Sequence, residues 1–116
     1  MKKLFSHRED VSIANPNGPP VRGWEQVAQT VEHASSLRRD GEMIAVEHIA
    51  KYATPELAYV LEIKRAKAKV GGSAAITPYA LRATMIFRPE SDVWKIVHRH
   101  ADPITAAQPA ESVIQK

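Results

Sequence analysis

Residues 23–39 read GWEQVAQTVEHASSLRR and carry the clearest helical pattern in the chain. Small and apolar side chains recur there at steps of three and four residues, which places them along one face of an α-helix. The following Asp40-Gly41 pair is expected to end the helix, because glycine readily adopts the backbone conformation found at helix C-termini. A helix with one apolar stripe needs a second apolar surface, which a sheet would supply. The stripe consists of Trp24, Val27, Ala28, Val31, Ala34 and Ser35.

The segments on either side of this helix show the two-residue alternation typical of β-strands. Residues 57–70 contain many good helix formers, but apolar Tyr59, Leu61 and Ile63 recur at every second position, which favours a strand. We therefore predict a single α+β domain over residues 1–116, with a mostly antiparallel sheet packed on one main helix and an extended tail from about residue 103. The predicted strands are residues 11–14, 42–52, 57–70, 79–88 and 93–101.

Composition excludes several classes of protein. Hydrophobic residues make up 44% of the 116 residues and charged residues 25%, a balance that predicts a folded core rather than disorder. Because the sequence has no cysteine, disulfides and cysteine-ligated metals are excluded. The basic start is not followed by a signal-peptide run, and no apolar stretch reaches membrane-spanning length, so we expect a cytoplasmic protein with no membrane partner.

The formal net charge of +3 is too small to predict nucleic-acid binding. Much of the positive charge lies in one segment, but the aromatic side chains that single-strand binders place between their basic residues are missing there. We interpret this segment as a solvated strand end that discourages edge-to-edge pairing. Its basic residues are Lys64, Arg65, Lys67 and Lys69.

Four stretches together resemble the ketosteroid-isomerase-like superfamily, which has a nuclear transport factor 2-like or cystatin-like fold, and within it the SnoaL-like group. They are residues 6–11 (SHREDV), 15–19 (NPNGP), 22–27 (RGWEQV), and 81–84 (LRAT) running on to 94–102 (WKIVHRHAD). The resemblance spans residues 6–103. It implies a cone-shaped domain, in which a curved sheet wraps around the main helix and holds a small apolar molecule without a cofactor. Such a fold hosts many activities, so it does not define one.

Members of this superfamily usually begin with about two helices that close the mouth of the cone, whereas only five residues precede Ser6. A large apolar sheet surface is not left in water by most monomers. We therefore expect a partner subunit to cover the exposed face, most simply in a homodimer.

The end of the last predicted strand supplies the candidate catalytic residues. Strict alternation places His98, His100 and Asp102 on the face that also carries Trp94 and Ile96. If this face lines the cone, both imidazoles reach the ligand and can transfer protons near neutral pH. The alternative is that both histidines are hydrogen-bonded structural residues.

A third interpretation of these histidines is a metal site. Two histidines that are two residues apart on a strand resemble half of such a site, and Asp102 or His48 could complete it. No further residue has the expected spacing, so we predict no metal.

Candidate substrate-binding residues come from three other segments. Arg82 is expected to bind a carboxylate, enolate or phenolate oxygen, or else to form a surface ion pair, and Thr84 shares its face. Asn15 stands where steroid isomerases carry their general-base aspartate, but an amide cannot remove a proton from carbon. Steroid isomerase activity is therefore disfavoured, and Asn15 either binds a ligand oxygen or shapes the turn before Pro16. Trp24 and Trp94 are expected as pocket walls.

These observations favour a small-molecule-binding domain of the SnoaL-like kind. It would catalyse proton transfer, hydration or cyclisation on an apolar, oxygen-bearing substrate, as isomerases, cyclases and lyases do. In this interpretation His98 or His100 moves the proton, while Arg82 and Asn15 hold the oxygen. The alternative is a non-catalytic binding or dimer-assembly domain with a packed pocket.

Overall fold

The computed structural model describes residues 1–115 as one α-helix and a six-stranded sheet. The strand order is β2-β1-β6-β5-β4-β3, in which β1 and β6 are parallel and every other neighbouring pair is antiparallel. The predicted α+β class, with a curved and mostly antiparallel sheet around one main helix, is confirmed. The elements are β1 (Ser12–Ala14), β2 (Val21–Arg22), α1 (Trp24–Ser36), β3 (Arg38–Ala53), β4 (Ala58–Val70), β5 (Ile76–Glu90) and β6 (Val93–Asp102), with 3-10 turns at Lys2–Leu4 and Ala110–Val113.

The core lies between α1 and one face of the sheet, which we call the inner face; the opposite face is the outer face. From the helix, Val27 and Val31 are buried, and Trp24 packs against the edge of the core. Phe5 reaches the core from the N-terminal segment, where it forms a parallel bridge with Ile96 of β6. The buried cluster is small: Phe5, Val11, Ile13, Val27, Val31 and Ile96.

The predicted end of the helix is wrong. The helix ends at Ser36 and the chain reverses at Leu37, so that the Asp40-Gly41 pair lies inside β3. Asp40 has a φ of 54°, in the left-handed region, at a shift in the β3–β4 register. A left-handed residue beside a glycine bends a strand as readily as it ends a helix, so the local sequence could not separate the two outcomes.

The last strand contains a β-bulge that decides which side chains face the helix. Ile86 of β5 pairs with His98, but the next residue, Phe87, pairs with Ile96, which leaves Val97 as the extra residue of β6. A bulge breaks the strict alternation of a strand. The buried side chains of β6 are consequently Ile96, Arg99 and Ala101, two of which have odd numbers.

The tail after β6 is irregular and includes the 3-10 turn Ala110–Val113, whereas an extended tail was predicted. Residues 104–113 lie along the outer face of the sheet, where they line a groove with Ile49, Leu61, Ile63 and Arg82. Lys116, the last residue of the predicted tail, lies outside the described residues. Within residues 1–115 no helix is both long and apolar enough to cross a membrane.

Candidate functional site

A cavity of about 120 Å³ lies between the helix and the inner face of the sheet. Val31 and Ala34 of α1 and Leu81 of β5 give it apolar walls. Polar side chains enter from α1, from β3, β4, β5 and β6, and from the residue that follows β1. The polar lining residues are Asn15, Ser35, Arg38, Lys64, Tyr79 and Arg99.

Arg99 is the most deeply buried cation of this cavity, with only 7% of its surface exposed. Its Nη1 donates a hydrogen bond to Oδ1 of Asn15 at 3.2 Å, while its buried Nε has no partner among residues 1–115. Burial, and then the charge of Arg38, lower the pKa of Arg99, whereas Glu62 raises it. A buried donor without an acceptor costs about 1–3 kcal/mol, so this arrangement is unfavourable for folding alone.

Lys64 brings a second positive charge to the cavity. Burial lowers the pKa of its ammonium group, and the charge of Arg99 lowers it further; Glu62 raises it, and Arg38 lowers it by the smallest amount. Lys64 lies opposite Leu81, which is buried and lines the cavity, so both residues are on the inner face. The cavity is therefore electropositive as well as partly apolar.

The interpretation of the basic segment as a solvated strand end fits three of its four members. Each of them pairs with a carboxylate of β3: Arg65 with Glu47 at 3.6 Å, Lys67 with Glu42 at 3.4 Å and Lys69 with Asp40 at 2.8 Å. Lys64 differs, because it makes no ion pair or hydrogen bond in the described part of the chain.

Glu62 is the carboxylate that acts on both Lys64 and Arg99, since it raises the pKa of each. It is buried on the inner face, opposite the small side chain of Ala83, and Nε2 of His48 lies 3.7 Å from its Oε2. The small side chain of Ala83 leaves space on the inner face for the longer side chains beside it. The inner face thus combines three cations, one buried carboxylate and an imidazole.

Five of the predicted site residues lie close together, but on the outer face: Arg82, Thr84, His98, His100 and Asp102. Thr84 pairs across the sheet with His100, and Arg82 pairs with Asp102, whose Oδ1 accepts a hydrogen bond from Arg82 Nε at 2.7 Å. Nε2 of His100 lies 3.4 Å from Oδ2 of Asp102. Oγ of Ser12 and Nδ1 of His98 are hydrogen-bonded at 2.7 Å.

The expected inward orientation of the two histidines is therefore wrong, and the reason is the bulge at Val97. Neither His98 nor His100 lines the cavity, and neither do Arg82, Thr84 and Asp102. Burial, with the nearby His100, lowers the pKa of His98. Among residues 1–115 no group of three or more histidine, aspartate or glutamate side chains is placed to hold a metal ion.

Of the remaining predicted site residues, Asn15 lines the cavity, whereas Trp24 and Trp94 lie outside it. Asn15 does line the cavity, where its carbonyl oxygen holds Arg99. Trp24 stacks on His7 at 3.8 Å at the start of the helix, and Trp94 is exposed near the β5–β6 turn, so neither forms a wall of the cavity.

Sequence reasoning missed Arg38, Lys64, Tyr79 and Arg99. A signal for Lys64 was present, because Glu62, Lys64, Ala66 and Ala68 share one face of a strand and two of them are small. Alternate alanines typically mark a packed face, which would have turned Lys64 inward. Arg99 had no such signal, since its orientation depends on the bulge.

Comparison with known proteins identifies the family. The model of the SnoaL-like domain matches residues 1–105. No curated protein matches the sequence at a significant level.

Solved structures share the fold at low sequence identity. A nuclear transport factor 2-like superfamily protein from Salmonella enterica is 19% identical over 95% of this chain and 79% of its own, with a TM-score of 0.75. A ketosteroid isomerase-like protein from Erwinia carotovora is 15% identical over 90% and 79% of the two chains, with a TM-score of 0.74. A candidate calcium/calmodulin-dependent protein kinase type II association domain from Thiobacillus denitrificans is 21% identical over 90% and 80%, with a TM-score of 0.71. These structures show that the chain has the nuclear transport factor 2-like fold, and the family match shows that it belongs to the SnoaL-like domain family.

Proposed function

We propose that the inner-face cavity binds a small organic acid, whose carboxylate accepts hydrogen bonds from Arg99. The observation that carries this proposal is the buried Nε of Arg99, which has no acceptor within residues 1–115. A guanidinium presents its donors as a fork that matches the two oxygens of a carboxylate. Lys64 and Arg38 add positive charge, so an anion would relieve the repulsion among three cations.

The volume of the cavity limits the size of the ligand that it can hold. Drug-sized ligands occupy pockets that begin at about 300 Å³. The cavity here measures about 120 Å³, which suits an acid of a few non-hydrogen atoms and excludes a steroid nucleus. Ile13, Val31 and Leu81 provide apolar walls for a short carbon skeleton.

Proton transfer is the chemistry that this site supports best. Arg99 and Arg38 would stabilise negative charge that develops on a ligand oxygen, as in enolate-forming reactions. Glu62, two positions before Lys64 on the same face of β4, and His48, whose Nε2 lies 3.7 Å from Oε2 of Glu62, would be the acid–base groups. A solved relative is named as ketosteroid isomerase-like and another as a candidate dehydratase, and both names fit this class of chemistry. His98 and His100 do not line this cavity, so the proton transfer predicted for them would need a ligand bound at the outer face.

A titration followed by amide NMR tests the carboxylate site. Propionate should shift the backbone resonances around Arg99 and Asn15, whereas propionamide, which has the same shape without the charge, should not. Replacement of the guanidinium in Arg99→Met removes the fork and should raise the Kd for propionate at least about ten-fold. The matched control is Arg82→Met, which removes an arginine of the outer face and should leave the Kd unchanged.

Equal responses to propionate and propionamide would contradict the proposal. So would an Arg99→Met variant that binds propionate as well as the wild type does.

A second proposed function is assembly through the outer face. Large apolar side chains are exposed there: Ile49 is 51% exposed, and Tyr52 and Tyr59, whose rings lie 6.5 Å apart, are 62% and 41% exposed. Contiguous apolar surface of this kind marks interaction sites. The relative named as a kinase association domain is consistent with an assembly role.

Light scattering after size exclusion tests the predicted homodimer. The wild type should have twice the 12.9 kDa mass of the chain, because pairing buries the exposed side chains of β3 and β4. Tyr52→Glu places a charge in that surface and should give the mass of one chain, whereas Leu4→Glu, which changes an exposed residue of the N-terminal turn, should not. A wild type that stays monomeric at millimolar concentration would exclude the homodimer.

A further inference from the structure

Lys64 differs from the other lysines of residues 1–115 by its position in the inner-face cavity. Its amine, like those of Lys3 and Lys51, makes no contact with an acceptor in the described residues, whereas Lys2, Lys67 and Lys69 each pair with a carboxylate and Lys95 donates to the carbonyl oxygen of Lys3. It also lines the cavity rather than the surface. An amine that is partly desolvated and lies beside other cations is held more often in its neutral form, which is the nucleophilic form.

The groups around Lys64 come from β3, β4, β5, β6 and α1, and from the N-terminus, because Met1 also lines the cavity. Glu62 of β4 is the one carboxylate that acts on it, while Arg99 of β6 and Arg38 of β3 repel its charged form. Tyr79 of β5 also lines the cavity. The helix contributes only Val31, Ala34 and Ser35, none of which titrates. The net effect of burial and these groups is to lower the pKa of Lys64.

We propose that Lys64 forms an imine with the carbonyl carbon of a small oxo acid whose carboxylate is bound by Arg99. This inference rests on the proposed function, because Arg99 must hold the acid before its carbonyl can meet the amine. A guanidinium remains charged at all accessible pH values, so Arg99 and Arg38 cannot act as the nucleophile. The two kinds of cation thus have separate tasks: the arginines bind the anion, and the lysine reacts with it.

The reaction is balanced without an oxidant or a reductant. The lone pair of the neutral Lys64 amine forms the C–N bond, and the carbonyl π electrons pass to oxygen, which takes up the proton that nitrogen releases. The resulting hydroxyl group takes up a second proton from solvent and leaves as water while nitrogen forms the C=N bond. One amine, one carbonyl compound and one proton give one iminium ion and one water molecule.

Trapping by reduction tests the imine on the intact chain. The protein is incubated with pyruvate and sodium cyanoborohydride, and the modified lysines are identified by peptide mass spectrometry. Lys64 should be labelled at least about ten-fold faster than Lys51, which is exposed on the neighbouring strand, because its amine is more often neutral. Lys64→Arg keeps the positive charge and should abolish the fast labelling, while Lys51→Arg should not alter it.

The carboxylate requirement is tested by comparing pyruvate with acetone, which carries the same methyl ketone without the acid group. Arg99→Met should slow labelling by pyruvate more than labelling by acetone, because loss of the Arg99 charge raises the pKa of Lys64 for both ketones, whereas loss of the guanidinium fork affects only the acid. Labelling of Lys64 no faster than that of Lys51 would overturn the imine. If propionate still bound in an Arg99-dependent way, the proposed function would stand; if propionate did not bind either, both would fail. Acetone that labels Lys64 as fast as pyruvate does would exclude the role of Arg99 in this reaction.

Discussion

Replacing Phe5 by alanine is expected to lower the free energy of unfolding by about 3–5 kcal/mol, the range for a fully buried phenylalanine. Phe5 is completely buried and bridges the N-terminal segment to Ile96 of the last strand. Its ring is one of six side chains in the buried cluster, so the cavity left behind cannot be filled by the few neighbours that remain. Thermal unfolding should show a Tm lowered by about 12–20 °C, at about 4 °C per kcal/mol for a domain of this size.

Leu4→Ala is the matched control for this variant. Leu4 is the preceding residue but is 58% exposed, so its truncation should change the free energy of unfolding by less than about 0.5 kcal/mol. If Phe5→Ala were no more destabilising than Leu4→Ala, the N-terminal segment would not be part of the core.

Arg88→Met should lower the free energy of unfolding by about 2–3 kcal/mol at pH 7, because Arg88 holds several groups together. It donates two hydrogen bonds to the carboxylate of Asp10, at 2.6 and 2.7 Å, one to Glu90 at 3.0 Å and one to the buried hydroxyl of Ser6 at 3.3 Å. Hydrogen bonds to charged groups contribute about 1.5–3 kcal/mol each, but the half-exposed Asp10 is screened by solvent and contributes less.

The pH dependence gives this variant a specific signature. The hydrogen bond from Arg88 lowers the pKa of Asp10 from 3.8 to about 2. A carboxyl group whose pKa is lower in the folded state stabilises the fold above its unfolded pKa, and this contribution is lost as the pH falls through the folded value. The free energy of unfolding of the wild type, measured with urea, should therefore fall as the pH is lowered from about 4 to about 2. For Arg88→Met this free energy should change less over the same pH range.

Arg22→Met provides the control, since Arg22 is exposed and makes no ion pair among residues 1–115. It should follow the pH profile of the wild type. Parallel profiles for Arg88→Met and the wild type would show that the pair between Arg88 and Asp10 does not stabilise the fold.

The fold was predictable because its signals are periodic and redundant. The apolar stripe of the helix and the alternation in β4 each extend over several turns or residue pairs, so one irregular position does not hide them. The stop at Ser36 was not predictable, because the Asp40-Gly41 pair serves equally well as a helix terminator and as a bend within β3.

The candidate site was less predictable, because it depends on side-chain orientation at single positions. Asn15 was assigned to the ligand from the resemblance, and it does line the cavity. His98 and His100 were placed on the inner face by an alternation that one extra residue breaks. Arg99 was missed for the same reason, since a buried arginine on an apolar face runs against the usual preference of charged residues for solvent.

The extra residue in β6 also affects how relatives should be compared with this chain. A slip of one position would send His98, His100 and Asp102 to the helix side and turn Arg99 and Ala101 away from it, with no substitution at any of these positions. Gain or loss of a single codon ahead of position 98 can thus exchange an arginine-lined interior for an imidazole-lined one. If two homologues are aligned without a gap in this strand, the alignment equates residues that point in opposite directions. A catalytic role can therefore be transferred between their last strands only after the inserted residue has been located.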